Sequence, residues 1–228
     1  MPKYLNMQRH IPEQKPPAVA PDKSRVNVDP IFWDQLYQKN ITHLCNLTLF
    51  DPISPVRLGF NFLRERVLVD IENRCLKRQT ESGWEVTDDP LLELATVMYL
   101  INVTEIYPIG KDIVGIKDLK EGHFFQGPHA LQTDPLLNRF GHDLEGFRQA
   151  AQYQKGEARD MADAAYRLSP FPRIHLYYLL WMGDEEFKPR LTVLMDRTIE
   201  KTLAADAIWA LLNRVCMALL EGPADKNA

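Results

Sequence analysis

Apolar residues recur at helical spacing in five segments of the chain. The expected helices cover residues 29–40, 88–101, 134–139, 143–153 and 205–219. Two of them open on an Asp-Pro pair, Asp29-Pro30 and Asp89-Pro90, which places a capping carboxylate just before a proline in the first turn. The segment after Asp89-Pro90 is apolar nearly all round, so we expect this helix to lie inside the fold.

Other segments have the composition and alternation of β-strands. The expected strands are His43–Phe50, Val56–Leu63, Arg66–Leu76, part of Tyr107–Phe125, Ala164–Leu168, Arg173–Met182 and Leu191–Met195. The first three follow one another across short turns, which is typical of an antiparallel meander. Strands and helices come in blocks rather than in βαβ alternation, so the sequence predicts an α+β fold in which an antiparallel sheet packs against several helices.

Residues 1–28 differ in composition from the rest of the chain. They contain five prolines among lysine, glutamine and acidic residues, a composition that favours extended backbone. We therefore expect an extended N-terminal arm, followed by a single α+β domain over residues 29–228. Such an arm would either dock on a protein partner or on a second copy of the chain, or pack along its own domain.

Composition and charge narrow the class of protein. The 228 residues are 45% apolar and carry a net charge of −4, so the chain can bury a core but has no general affinity for nucleic acid. Its apolar runs are too short for a secretory signal or a membrane span. Three cysteines lie far apart and form no CxxC pair, which favours buried thiols. We expect a soluble cytoplasmic protein.

The segment Arg173–Met182 is the strongest candidate for a binding surface. Side chains alternate along a strand, so one face is expected to be plain core and the other to carry Arg173, His175, Tyr177 and Trp181. This face would line up four polar or aromatic groups: a guanidinium, an imidazole, a phenol and an indole. Such a row suits a flat or anionic ligand, such as a tetrapyrrole or an acyl group. The alternative to a binding surface is a partly covered sheet face that binds no cofactor. The polar ends of its tyrosine and tryptophan side chains would then reach water.

Two loops contain candidate metal ligands. The turn after this strand carries Asp184 and Glu185 followed by a third acid, and adjacent carboxylates serve proton transfer or a hard cation. The loop around His123 and His129 could supply imidazole ligands, or could flank a ligand that packs on Phe125. The spacing matches neither HExxH nor a structural zinc site. A solvated acidic turn and an aromatic-anchored loop are the alternatives.

The run FPRIHLYYLLWMGDEEFKPRLTVLMD, residues 171–196, resembles a bacterial and archaeal family of unknown function that is common in anaerobes. The loop 125–129 and the helices over 134–147 are also similar to that family, and the resemblance spans about residues 30–220. Met195 stands where relatives have phenylalanine. Some relatives carry an N-terminal iron–sulfur domain like that of corrinoid proteins, so the resemblance implies a setting in anaerobic redox metabolism. In this chain the N-terminal arm contains no cysteine, so a partner protein would have to supply the electrons for any redox reaction.

These observations lead to one hypothesis and two alternatives. The chain contains no GxGxxG, GxxxxGK[ST] or GxSxG motif, which argues against the common nucleotide and acyl-transfer folds. We therefore expect a non-catalytic accessory subunit that binds a cofactor or small ligand at the strand face. One alternative is a metal-assisted hydrolase or lyase that uses the two histidines and the acidic loop. The other is a purely structural assembly subunit.

Overall fold

The computed structural model describes residues 26–222, which form six α-helices and ten β-strands in two antiparallel sheets. The chain therefore has the α+β fold that the sequence predicts. The predicted arm lies outside the described residues except for residues 26–28.

The helices follow the predicted segments closely, with one addition. They are α1 Pro30–Tyr37, α2 Ile41–Thr48, α3 Pro90–Asn102, α4 Asp134–Phe140, α5 Leu144–Tyr153 and α6 Ala205–Leu220. Asp29 and Asp89 cap α1 and α3 as expected, accepting hydrogen bonds from the backbone N–H groups of Ile31 and Leu92. The interior position predicted for α3 is confirmed, since most of its side chains are buried.

Helix α2 corrects one prediction. The segment His43–Phe50 was expected to be a strand, but most of it is helical. The Asn40 side chain accepts a hydrogen bond from the His43 backbone N–H and caps the helix. The buried side chains Leu44, Leu47 and Thr48 recur at helical spacing, so one face of a short helix meets the core.

The first sheet is a meander of five consecutive strands. Its members are β1 Asp51–Ser54, β2 Arg57–Phe62, β3 Glu65–Asp70, β4 Cys75–Thr80 and β5 Gly83–Val86, paired in sequence order. The meander is confirmed, but Arg66–Leu76 is not one strand. It is divided by a turn in which Arg74 takes a positive φ of 50°, so the chain reverses within the apolar run.

The second sheet contains the predicted binding strand at its centre. Its members are β6 Ile113–Gly115, β7 Glu157–Arg159, β8 Ala164–Phe171, β9 Ile174–Trp181 and β10 Arg190–Asp196, in the spatial order β6-β10-β9-β8-β7. The short edge strands β6 and β7 extend a core of three long strands. The fold thus contains two sheets where the sequence predicted one.

A shared core joins the two sheets. Helix α6 packs against α3 and lies on the inner face of the second sheet, where the buried Tyr178 hydroxyl donates a hydrogen bond to the Leu212 carbonyl. Strands β2 and β8 meet through a cluster of aromatic rings, in which Phe50 stacks on Phe60 and Tyr99 stacks on Phe171. This cluster places the end of α3 beside the start of β9.

One buried ion pair links the core elements. The Arg214 side chain on α6 is 1% exposed, and its Nε lies 2.5 Å from the Asp89 carboxylate at the start of α3. Arg78 on β4 contacts the same carboxylate at 2.5 Å. Asp89 therefore serves as helix cap and as counter-ion to a buried cation.

Within residues 26–222, no helix is both long and apolar enough to cross a membrane.

Candidate functional site

The two faces of β9 differ as the alternation predicts. Ile174, Leu176, Tyr178 and Leu180 point into the core and are no more than 5% exposed. On the outer face, His175, Tyr177 and Trp181 are half-buried, and only Leu179 is fully covered. The same alternation along the predicted strand would place Met182 on the core face, but Met182 lies past the strand end and is exposed.

The predicted binding residues are spread along the strand. Consecutive strand residues rise by about 3.3 Å, so His175 and Trp181 are roughly 20 Å apart. Trp181 packs beneath the Arg190 guanidinium, at 4.2 Å from the ring centroid, while Tyr177 lies opposite Arg167. A small ligand can contact only one end of this row.

A cavity lies at the Arg173 end of the row. Arg173 precedes β9 in the turn that follows β8, and the cavity is bordered by α2, the end of α3 and the end of β10. Its volume is about 30 Å³, which is room for about two water molecules or the head group of a larger molecule. The lining residues that carry polar groups are Tyr99, Glu105, Tyr107, Arg173, His175, Asp196, Thr198 and Thr202.

Arg173 has an unpaired donor in this cavity. Its Nε is buried and makes no hydrogen bond. Among the described residues, no carboxylate lies within ion-pair distance of the Arg173 guanidinium. A buried guanidinium N–H without an acceptor is costly, because the group has lost its water and gained nothing in return.

Tyr99 contributes a second donor. Its ring is stacked on Phe171 in the core, while the residue also borders the cavity. Burial raises the pKa of Tyr99 to about 12, against the opposite effect of the nearby Arg173. The hydroxyl therefore stays protonated at neutral pH and is able to donate a hydrogen bond.

The acidic groups of the cavity are already engaged. Asp196 is buried and accepts hydrogen bonds from the backbone N–H groups of Gly110, Lys111 and Thr198, at 2.5, 3.2 and 2.9 Å. Burial alone would raise the pKa of Asp196, but the hydrogen bonds, those from Thr198 first, lower it below its usual value. A hydrogen bond to the Glu105 side chain raises the pKa of Tyr107. Neither carboxylate lies close enough to Arg173 to form an ion pair with it.

His175 forms the outer wall of the cavity. Its Nδ1 lies 2.8 Å from the Ser169 hydroxyl on β8. Burial lowers the pKa of His175, and the positive charge of Arg167 lowers it further. The imidazole is therefore neutral at neutral pH, leaving Arg173 as the cationic group of the cavity wall.

We expect His175 to make stability depend on pH. Because its pKa is lower in the folded chain, the unfolded chain binds the proton first as the pH falls below about 6.5. The stability that the neutral imidazole provides is thus present above that pH and is lost as the pH falls. His175→Gln should lose less stability than the wild type between about pH 7 and about pH 5 in urea titrations.

The matched control is His43→Gln, which removes an exposed histidine of α2. Its pH dependence should follow that of the wild type. Equal pH slopes for His175→Gln and the wild type would contradict this prediction.

The predicted metal ligands occupy separate surroundings. His129 stacks on Phe124 at 4.3 Å between ring centroids and meets Trp209 edge-on. Asp184 accepts hydrogen bonds from the backbone of its own turn. Over residues 26–222, no three His, Cys, Asp or Glu side chains are arranged to hold a metal ion. A metal bound by His123, His129, Asp184 and Glu185 stays a prediction and would require these loops to rearrange.

Phe125 lies apart from the Arg173 cavity. It packs against the core and lines a different cavity of about 120 Å³ beside the start of α6. Sequence reasoning also missed two residues of the Arg173 cavity, Tyr99 and Asp196. A tyrosine within a mostly apolar, buried helix was the available indication, since a buried hydroxyl needs a polar neighbour.

Comparison with known proteins identifies a family. Residues 51–218 match the profile of a domain of unknown function, DUF3786, and this match covers well over half of the 228-residue chain. The chain belongs to the DUF3786 family. The resemblance to a family of unknown function is thereby confirmed, while the anaerobic setting and the iron–sulfur fusion stay predictions. No curated protein and no solved structure matches the chain.

The family match includes the whole second sheet and most of the cavity wall. It begins at β1 and ends within α6, so Tyr99, Arg173, His175 and Asp196 all lie inside the DUF3786 domain. Leu47 of α2 also borders the cavity but precedes the matched range.

Proposed function

We propose that this DUF3786 protein is a non-catalytic accessory protein that binds a small carboxylate at the Arg173 cavity. The observation that carries the proposal is the buried Arg173 Nε, which has no hydrogen-bond acceptor. A carboxylate would supply that acceptor and also the missing negative charge. Arginine suits this ligand because its planar guanidinium matches the geometry of a carboxylate.

The other cavity groups fit the same ligand. The protonated Tyr99 hydroxyl is a donor, and Thr198 and Thr202 also border the space. Asp196 is held by three backbone N–H groups, so its negative charge is partly offset where it would otherwise repel an anion. A donor-rich wall with one unpaired cation favours a carboxylate over a neutral or cationic ligand.

The size of the cavity restricts the ligand. A volume of about 30 Å³ fits the carboxylate head group, while the remainder of the ligand would extend toward solvent. A tetrapyrrole is far larger than this space and would have to lie along the outer face of β9, against Tyr177 and Trp181. The proposal therefore favours a small acid or an acyl group with a free carboxylate.

The proposed cellular setting is the one that the family resemblance implies. As an accessory subunit in anaerobic redox or corrinoid metabolism, the protein would act in the cytoplasm beside a partner that carries the redox centre. Cys45 and Cys216 are buried and Cys75 is half-buried, and burial raises the thiol pKa of each. Such thiols are poor cluster ligands, so electron transfer is assigned to the partner.

A thermal denaturation panel tests the proposal. The purified chain is heated with formate, acetate, phosphate or chloride at matched ionic strength. At about ten times its dissociation constant, a bound carboxylate should stabilise the fold by about 1.4 kcal/mol and raise Tm by roughly 3 to 6 °C. Chloride should raise it much less.

The matched controls are two arginine variants. Arg173→Met should remove the carboxylate effect, whereas Arg190→Met, which alters the arginine stacked on Trp181, should retain it. Equal shifts with chloride and carboxylates, or an unchanged carboxylate effect in Arg173→Met, would exclude this site.

A further inference from the structure

The chain between α3 and β6 forms one side of the Arg173 cavity. Every second residue of the segment 103–109, here called the cavity loop, lines that cavity: Val103, Glu105, Tyr107 and Ile109. The residues between them are exposed to solvent: Thr104, Ile106 and Pro108. This alternation is typical of extended chain, in which successive side chains point to opposite sides. The cavity loop therefore presents one row of side chains to the cavity and the other row to solvent.

Both ends of the cavity loop are held in place. At its start, where α3 ends, the Val103 N–H donates a hydrogen bond to the Tyr99 carbonyl at 3.0 Å. Just past its end, the Asp196 carboxylate accepts hydrogen bonds from the backbone N–H groups of Gly110 and Lys111. These anchors fix the inward row of side chains against the cavity.

The lining of the cavity contains apolar as well as polar side chains. Its apolar residues are Leu47, Val103, Ile109, Ile174 and Ile199. Ile109 is half-buried and the other four are buried. The pocket and its mouth together contain about 440 Å³ of space free of protein atoms, part of it open to solvent. A ligand whose carboxylate meets Arg173 therefore has apolar surface available to the carbon atoms that follow its head group.

The charges around the cavity favour a ligand with a single negative charge. Arg173 is the cationic group of the wall, whereas Asp196 and Glu105 both border the cavity as carboxylates. Glu105 is exposed, and its carboxylate accepts a hydrogen bond from the Tyr107 hydroxyl. A second acidic group a few carbon atoms from the first would have to lie beside Glu105 or against the apolar side chains. Both positions are unfavourable, because like charges repel and a buried charge loses its water.

We propose that the Arg173 cavity selects a monocarboxylate with a short aliphatic chain, and that Val103 and Ile109 bind this chain. The inference rests on the proposed function, since the ligand carboxylate would lie opposite Arg173. The aliphatic chain would follow the cavity loop toward solvent and bury its methylene groups against the inward row. Glu105 would act against a dicarboxylate of the same length.

Calorimetric titration of the purified chain with acetate, butyrate and succinate tests the selectivity. Each buried methylene group should increase affinity by about two- to fourfold, so butyrate should bind roughly tenfold more tightly than acetate. Succinate has as many carbon atoms as butyrate but carries a second carboxylate. It should bind about tenfold more weakly than butyrate, because that carboxylate has no cation to meet.

Two isoleucines of the cavity loop form a matched pair of variants. Ile109→Ala shortens a side chain of the inward row and should reduce the advantage of butyrate over acetate to about threefold or less. Ile106→Ala makes the same change in the outward row, where the side chain is 53% exposed, and should keep the roughly tenfold advantage. The two affinities are compared within one preparation, so a partly unfolded sample lowers the active fraction without changing their ratio.

Glu105→Gln tests the contribution of charge. Glutamine keeps an acceptor for the Tyr107 hydroxyl but carries no negative charge. The ratio of succinate affinity to butyrate affinity should therefore rise by about threefold, as expected when a partly exposed like-charge contact is removed.

The outcomes separate this inference from the proposed function. Saturable acetate binding with no gain for butyrate overturns the aliphatic selectivity and leaves the carboxylate site at Arg173 in place. The same conclusion follows if Ile109→Ala keeps the full butyrate advantage, if Ile106→Ala loses as much of it, or if succinate binds as tightly as butyrate. If none of the three acids shows saturable binding, the proposed function fails as well.

Discussion

Replacing Asp89 by alanine is expected to remove roughly 4 to 6 kcal/mol from the free energy of unfolding. Two effects combine in this loss. The N-cap of α3 disappears, at a cost of about 1 kcal/mol. The buried Arg214 loses its nearest counter-ion, at a further ~3–5 kcal/mol, because the carboxylates that remain, Glu221 and Glu65, are partly exposed and lie 3.4 and 4.0 Å away. Because domains of this kind are stable by only ~5–15 kcal/mol, the variant would lose a large fraction of its stability. Urea denaturation followed by circular dichroism measures the change.

The chain offers a matched control for the cap. Asp29 caps α1 in the same Asp-Pro context but is exposed and has no buried cation beside it, so Asp29→Ala should cost only about 1 kcal/mol. Combining Asp89→Ala with Arg214→Met should recover part of the loss, since no uncompensated charge then remains in the core. Equal costs for Asp29→Ala and Asp89→Ala would show that the ion pair contributes little.

Replacing Arg173 by methionine is expected to affect binding and stability in opposite directions. Carboxylate affinity should fall by about 30-fold or more, because a charged and partly buried hydrogen bond is lost, at about 2 kcal/mol or more. In the absence of ligand the variant should be as stable as the wild type or more stable, by up to about 1 kcal/mol, since an unpaired buried donor has been removed. Calorimetric titration with acetate and urea denaturation measure the two effects.

Lysine at the same position separates charge from geometry. Arg173→Lys keeps the positive charge but lacks the planar pair of donors, so its affinity should fall between those of the wild type and Arg173→Met. A large loss of ligand-free stability in Arg173→Met would contradict this account, because it would indicate that the guanidinium has an important structural partner.

The fold could be predicted where local chemistry decides it. The Asp-Pro pairs at residues 29 and 89 marked two helix starts because a capping carboxylate and a proline act within one turn. The segment His43–Phe50 was assigned wrongly, since a short run of mixed apolar and polar residues fits a strand and a helix equally well. Its helical state depends on the Asn40 cap and on the core that receives Leu44 and Leu47.

The candidate site could be predicted only in part. Alternation along β9 placed His175, Tyr177 and Trp181 on one face because strand geometry is regular. It could not show that Arg173 lies in the preceding turn or that Tyr99 and Asp196 border the same cavity. Those residues come together through the packing of α3 and β10 around the start of β9, which no local pattern encodes.

The most direct test of the proposed binding site observes the Arg173 Nε itself. In a ¹H–¹⁵N NMR spectrum, the buried Arg173 Nε–H should give a resonance that exchanges slowly with water and is missing in Arg173→Met. Titration with acetate should move this resonance to a saturating limit while the Arg190 resonance stays in place. If the Arg173 resonance does not move, or moves linearly without saturation, the cavity is not a carboxylate site.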